Sequence, residues 1–417
     1  MDLWDNGWAL RLRDQMRKMW VRVVLGGLAG LVLALASRLI GPFLPNIPEI
    51  NLASGSVDSL LSIIASSMLA VTTFSMSIII TAYGSAAQNA TPRATRLLER
   101  DQTAQTAVAI FIGSFLFSIA GIIGLSAGLY PGDARVVLFA ATLADIALIA
   151  WALLRWVSHL NDFGRMRDII ERIEDATMPP ARLFRERPAL GAVPGRDVLP
   201  KGLPELRSNR AGHVRFIDMK TLQDCAEENR IRVEILRMPG KYVHRGEALL
   251  RLSAPVSHEM LVELRGAFTI RNSRSFDQDP LYGLIVLAEV ASKSLSPAIN
   301  DPGTAIEVLR AGTRVLEALH DPHPPEDEEA EDGKHGTRHD RVYAPPLSPA
   351  EVYATFFGPI ARDGAGLVEV QEAVQDCLAA VALIGDPAAA RVEAERARIR
   401  ARSALSEEWE LDRLASA

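Results

Sequence analysis

Four apolar runs, each long enough to cross a bilayer, crowd into roughly the first 160 residues of this 417-residue chain. Nothing else in the sequence constrains the fold as much. A hydrocarbon core about 30 Å thick takes about 20 residues of helix. Backbone amides in lipid must pair within their own segment, so such runs are helices. They cover about 21–44, 60–84, 106–129 and 136–157. Beyond them the composition becomes that of a water-soluble protein. The expected fold class is therefore an α-helical integral membrane domain of four transmembrane helices, followed by an α+β cytosolic domain with a small β-rich module and helices.

Basic residues beside the runs set their orientation, because loops rich in Lys and Arg stay in the cytoplasm. Arg11, Arg13, Arg17 and Lys18 precede the first run, and Arg93, Arg96 and Arg100 lie between the second and third. Arg155, Arg165 and Arg167 mark the exit of the fourth. The loop from Pro45 to Ser59 has no Lys or Arg, and the loop after the third run has only Arg135. Every loop places both termini in the cytoplasm. Ala34-Leu35-Ala36 resembles a signal-peptidase site. The apolar run continues to Leu44, however, and the leader contains Trp4, Trp8 and acids, so the first run is read as an uncleaved span.

The formal net charge of −6 and the absence of a basic block with interleaved aromatics argue against nucleic acid as a partner. Cys225 and Cys377 stand too far apart for a zinc site or a disulfide framework. Both fall in the half placed in the cytosol, where thiols stay reduced. There is no Gly-rich phosphate loop, and no Ser or Cys sits in a nucleophile motif. The reading calls for no cofactor and no enzyme activity.

After a cytosolic tail (1–20) and the membrane domain (21–158), residues 159–204 read as a helical stalk and linker. In the stalk, Arg165-Met166-Arg167-Asp168 continues the fourth helix. Residues 205–256 read as the β-rich module: Val214 and Phe216, then Val233 and Ile235, alternate with polar residues at strand period. Asp218 is placed to cap a short helix between them, and Pro239-Gly240 is a turn. The turns around Lys241 and Gly246 resemble those of lipoyl-type modules. A carrier role is rejected, because the nearest lysine, Lys220, falls in the helix rather than on a hairpin tip. Residues 257–417 read as mainly helical. Asp279-Pro280 and Asp301-Pro302 open two helices, with Asp as the cap and Pro at the first helical position. An acidic, His- and Pro-containing insertion at about 321–345 reads as disordered.

Two stretches carry a resemblance. One runs from Thr91-Pro92-Arg93 through Asp101-Gln102 to Phe111-Ile112-Gly113-Ser114-Phe115. The other runs from Arg271, Arg274 and Asp277-Gln278-Asp279-Pro280 through Gly283 to Leu295-Ser296-Pro297-Ala298-Ile299-Asn300-Asp301-Pro302 and Thr304-Ala305. Together they resemble a bacterial family of predicted multi-pass membrane proteins catalogued as a domain of unknown function. The similarity extends over nearly the whole chain. His159 matches a position where that family tends to carry histidine, and Ser275 stands where threonine is expected. The resemblance implies an inner-membrane topology and a shared cytosolic module, and no substrate.

Three sets of residues are candidates for function. On the second run Ser59, Ser62, Ser66, Ala70, Thr73, Ser77, Thr81, Gly84 and Gln88 fall within roughly 100° of one helix face. Such a stripe either lets helices pack or lines a wet path, with packing the commoner use. Asp145 lies near the middle of the fourth run, where ionisable residues are rare and usually functional. The alternative is a neutral carboxyl bonded to a stripe hydroxyl. Arg271, Arg274, Asp277, Asp279, Asn300 and Asp301 form the third set. They would bind an anion or a metal, or else cap helices and pair with one another, which the Asp-Pro steps favour. His320, His323, His335 and His339 are spaced too irregularly for a metal site.

The leading expectation is a homo-oligomeric channel for an ion or small solute, with the lipid bilayer and further copies of itself as partners. A membrane-anchored sensor or scaffold is the rival, and a membrane enzyme comes third. An anchor would bury the stripe inside one bundle, whereas a channel would turn it toward a subunit axis.

Overall fold

The structure, a computed structural model, describes residues 19–40, 56–98, 101–130, 133–160, 163–321 and 337–416. The expected N-terminal tail and the core of the acidic insertion, with His323 and His335, lie outside the described residues. The chain divides into two compact units. The first holds Arg11–Gln88 and Thr95–Asp168, and the second holds Asn89–Ala94 and Ile169–Ala417.

The first unit is built from α1 (Met19–Ile40), α2 (Ser56–Asn89), the Thr95–Leu98 end of α3 (Pro92–Leu98), α4 (Gln102–Ser126) and α5 (Asp133–Leu160), while Asn89 and the start of α3 through Ala94 count with the second unit. Three stretches, Ser56–Gln88, Gln102–Ser126 and Ala134–Leu160, are long and apolar enough to cross a membrane. The apolar stretch of α1 is shorter, Val21–Ala36, and residues 41–44 of the first run lie outside the described residues.

Glycines set the packing of α1. A Cβ on Gly26 would strike the Ala109 carbonyl, and one on Gly30 would strike the carbonyl of Gly113. Small residues four apart on both helices let the backbones touch, the usual device where lipid supplies no hydrophobic drive for association. The order of the pairs makes α1 and α4 parallel. Beyond the end of α4, the buried Tyr130 hydroxyl donates to the Ala34 carbonyl at 2.9 Å. Thus α1 accompanies α4 along most of its length.

The fourth helix does not run on as a stalk. α5 ends at Leu160, and Gly164 adopts φ +77°, a left-handed conformation that breaks a helix and suits glycine. Its amide donates to Asp168 Oδ2 at 2.9 Å, at the start of α6 (Met166–Glu186). Ile169, Ile170, Ile173 and Thr177 bury one face of α6, so the expected stalk is packed into the second unit from Ile169 onward. Ala189, Leu190 and Leu199, in the expected linker, are buried as well.

The second unit continues with β1 (Ala192–Pro194), β2 (Glu205–Arg207), β3 (Gly212–Ile217), α7 (Met219–Glu228), β4 (Val233–Ile235), β5 (Tyr242–Val243), β6 (Ala248–Leu252), α8 (His258–Gly266) and β7 (Phe268–Arg271). Then follow α9 (Pro280–Ser294), α10 (Pro302–His320), β8 (His339–Ala344), α11 (Pro349–Asp363), α12 (Val368–Ile384), α13 (Pro387–Ala404) and α14 (Glu408–Ser416). The strands form a five-stranded sheet, β1-β8-β4-β6-β2, and a three-stranded sheet, β5-β3-β7. Asp218 caps α7, accepting from the Thr221 amide at 3.0 Å.

The β-rich module is therefore not closed within 205–256: it draws β1, β7 and β8 from outside. β8 corrects the expectation of disorder through 345. It lies inside the larger sheet, parallel to β1 and β4, with Val342 and Ala344 fully buried. The acidic run before it masks a short apolar alternation that gains its meaning only from partners about 100 and 150 residues earlier.

Candidate functional site

The motif residues of the second unit separate into two groups. Arg274 grips Asp279 with two hydrogen bonds, Nε to Oδ2 and Nη2 to Oδ1, each 2.8 Å. Asp279 is buried, and Oδ1 also accepts from the Tyr282 amide at 3.1 Å, capping α9. The Arg274 guanidinium lies 5.3 Å from the Tyr282 ring centre, a cation–π distance. Gly240 closes over the pair: it adopts φ +90°, and a Cβ there would strike Asp279. Asp277 pairs with Arg215 at 3.2 Å, and Gln278 bonds both the amide and the carbonyl of Ile217. Arg271 ends the edge strand β7, opposite His213.

Asn300 and Asp301 lie at the other end of α9, about 22 Å away for a helix of 15 residues. Asn300 takes φ +50°, a conformation asparagine tolerates better than most residues, as the chain turns from α9 into α10. Asp301 accepts from the Thr304 amide at 3.0 Å and from its hydroxyl at 2.6 Å. Those bonds hold its carboxyl below the usual range. The set therefore does not converge on one ligand.

Gly283, inside the same motif, faces Thr177 of α6 so closely that a Cβ would overlap it. Within this unit Arg93 pairs with Glu289, and Lys293 Nζ donates to the Ala90 carbonyl at 2.6 Å. The start of the first motif stretch, at Arg93, thus meets α9.

Beside Asp279 opens a groove of about 720 Å³, a size typical of small-molecule sites. Its floor was not legible in the sequence. Arg251 of β6 stands in register between Glu234 of β4 and Glu205 of β2, at 3.1 and 3.8 Å. Glu234 is 1% exposed and also accepts from the Val198 and Leu199 amides at 2.9 and 3.2 Å. At the rim Arg237 pairs with Glu247, and Lys241 with Glu351. Strand period marks such charged residues as outward-facing, and only the register of three strands reveals that they are covered.

No group of His, Cys, Asp and Glu among the described residues is arranged to hold a metal ion. Cys225 is buried, and burial pushes its thiol up to about 12. His320 packs edge-on against Tyr353, and His339 lies in β8.

In the first unit every stripe position of α2, from Ser59 and Ser62 to Gln88, is exposed in the single chain. Leu61, Ile64, Met68 and Ile79 bury the opposite face. Hydroxyls of Ser66, Thr73 and Thr81 donate to the carbonyls of Ser62, Leu69 and Ser77 at 3.0, 2.9 and 2.9 Å. Asp145 is bonded to Ser114 of α4, whose hydroxyl donates at 2.6 Å, and not to the stripe. Ser114 lies on α4, away from the stripe that the sequence pattern makes prominent. Asp101 caps α4 and lies 3.1 Å from His159 Nε2, joining two positions that the family resemblance had singled out separately.

Three long apolar helices in one unit, followed by a large α+β unit, define the class of a membrane protein. The chain belongs to the family described as Predicted membrane protein (DUF2254), whose model matches residues 16–380. Uncharacterized proteins of Mycobacterium bovis and Mycobacterium tuberculosis are each 24% identical to it over 283 residues, covering 64% of this chain and 53% of theirs. The chain thus spans about half the length of the curated relatives it matches. No solved structure matches.

Proposed function

We propose that the protein is a homo-oligomeric channel for an ion or small solute in the bacterial inner membrane, with the α2 stripe facing the subunit axis. The observation that carries this is the stripe's place on the exposed side of α2, opposite the buried face. A stripe serving a single bundle would be covered by that bundle. Ser66 to Thr81 covers about 22 Å of helix, most of the hydrocarbon thickness, and offers oxygens where a hydration shell must be replaced. The reading takes α1 as a fourth span. Its parallel course beside α4 supports this, as does the basic-residue pattern, which puts both termini and the second unit in the cytoplasm.

Cysteine accessibility tests the reading, once Cys225 and Cys377 have been replaced. Cysteines at 66, 73 and 77 should react with a water-soluble thiol reagent, and those at the buried positions 64, 68 and 79 should not. The sharper contrast is with Leu69 and Phe74, which flank the stripe and are 55% and 67% exposed in the single chain. In a channel they face lipid or a neighbouring subunit and stay silent. Ser77→Leu should lower flux in liposomes without unfolding the protein. If all the stripe positions are silent and liposomes show no flux, the channel fails. The second reading, a membrane-anchored sensor whose second unit binds a ligand, then takes its place, and the 720 Å³ groove favours it.

A further inference from the structure

A second groove, of about 450 Å³, runs within the first unit between α1, α4 and α5. Gly26, Gly30 and Gly113 stand in its wall beside Leu25, Leu33 and Leu148. Arg22 and Thr106 lie toward one end, and Ser114 and Asp145 lie deeper, about 12 Å further along α4. Asp145 is 6% exposed. Its Oδ1 accepts from Ser114, while Oδ2 is buried with no hydrogen-bond partner. A carboxylate with an open oxygen in apolar surroundings is costly unless a cation or a donor meets it.

We propose that this groove binds a lipophilic monoammonium ion, with its nitrogen on Asp145 Oδ2 and its hydrocarbon along the glycine wall. The chemistry of the lining selects this class. A hard metal ion takes about six or more oxygen ligands, and the deep end offers the carboxylate and the hydroxyl of Ser114. An ammonium brings its own donors and gains a charge-assisted bond from a single oxygen. Phe117 lines the same groove, and an aromatic ring attracts a desolvated cation. The apolar wall suits a hydrocarbon body. Arg22 disfavours a second positive charge at the far end, so a diamine is the poorer ligand. The inference does not depend on the channel reading.

The full chain in detergent micelles would be titrated with fluorescent 1-naphthylmethylammonium and, as the uncharged match, 1-naphthylmethanol. The amine should bind saturably and at least about tenfold more tightly than the alcohol, as expected for one charge-assisted bond. Asp145→Asn keeps an acceptor for Ser114 and should erase that preference, while 1,8-diaminooctane should compete poorly. On the unaltered protein, the amine but not the alcohol should protect Asp145 from a lipophilic carbodiimide, read by peptide mass. That measurement decides the matter even if the variant does not fold. Equal affinity for amine and alcohol, a preference that survives Asp145→Asn, or no protection of Asp145 would overturn the proposal.

Discussion

In the second unit Arg251 stands between Glu234 and Glu205 across three strands, and Arg274 holds Asp279 with two bonds. In the first unit the hydroxyls of Ser66, Thr73 and Thr81 turn back to carbonyls of their own helix, and Asp145 keeps an oxygen without a partner. The second unit pairs these charged groups with one another within one chain, although Arg251 Nε stays buried without a partner, so their removal should be read as lost stability. The first unit turns its polar stripe outward, so changes there should be read in partners, ligands or flux. Density of polar residues in a motif is therefore a poor guide to function; whether one chain already satisfies them is a better one.

The contrast breaks most readily at the largest expected effect. Arg251→Met leaves Glu234 buried without its cation, which should cost about 3–5 kcal/mol. Urea unfolding of the full chain, followed by a probe in the second unit, would measure it. Adding Glu234→Gln should recover part of the loss, because it removes the unpaired charge while keeping a carbonyl oxygen as acceptor for the amides of Val198 and Leu199. A change under about 1 kcal/mol, the range of an exposed pair, would show that the Glu-Arg-Glu row is wet. Next in size is Gly30→Leu, which drives a side chain into the Gly113 backbone. Overpacking of this kind costs about 1–3 kcal/mol. Thermal melting in micelles should fall, while the second unit's own transition stays in place. An unchanged melt would mean that α1 does not pack along α4.

The sequence exposed what a local pattern can carry. Hydropathy marked the apolar helices, and Asp-Pro steps marked the starts of α9 and α10. It hid what depends on distant partners. Glu234 and Arg251 look like outward residues of short strands until three strands bring them into register. β8 reads as the tail of an acidic insertion until β1 and β4 flank it. Gly26-x-x-x-Gly30 and Ala109-x-x-x-Gly113 were present as spacing, yet a small-residue repeat gains meaning only once a second helix presents its own. Asn300 and Asp301 stood close in sequence to Arg274 and Asp279, but a straight helix holds them apart.

The smallest effect sharpens the comparison furthest, because it asks whether the most specific stretch of the sequence is structural. Asp301 caps α10 through the Thr304 amide and hydroxyl. Replacing such a cap by alanine costs about 1 kcal/mol. The bonds lower the carboxyl's folded pKa below its unfolded value of about 3.9. Its ionic contribution is therefore complete above the unfolded value and fades as pH falls through the folded one. Asp301→Ala should cost its full increment at pH 7, and the gap between the two proteins should narrow as pH falls through the carboxyl's lowered folded pKa. Chemical denaturation at several pH values would show this. A variant as stable as the parent at pH 7 that nonetheless loses flux or ligand binding would move Asp301 out of the structural group and into the functional one.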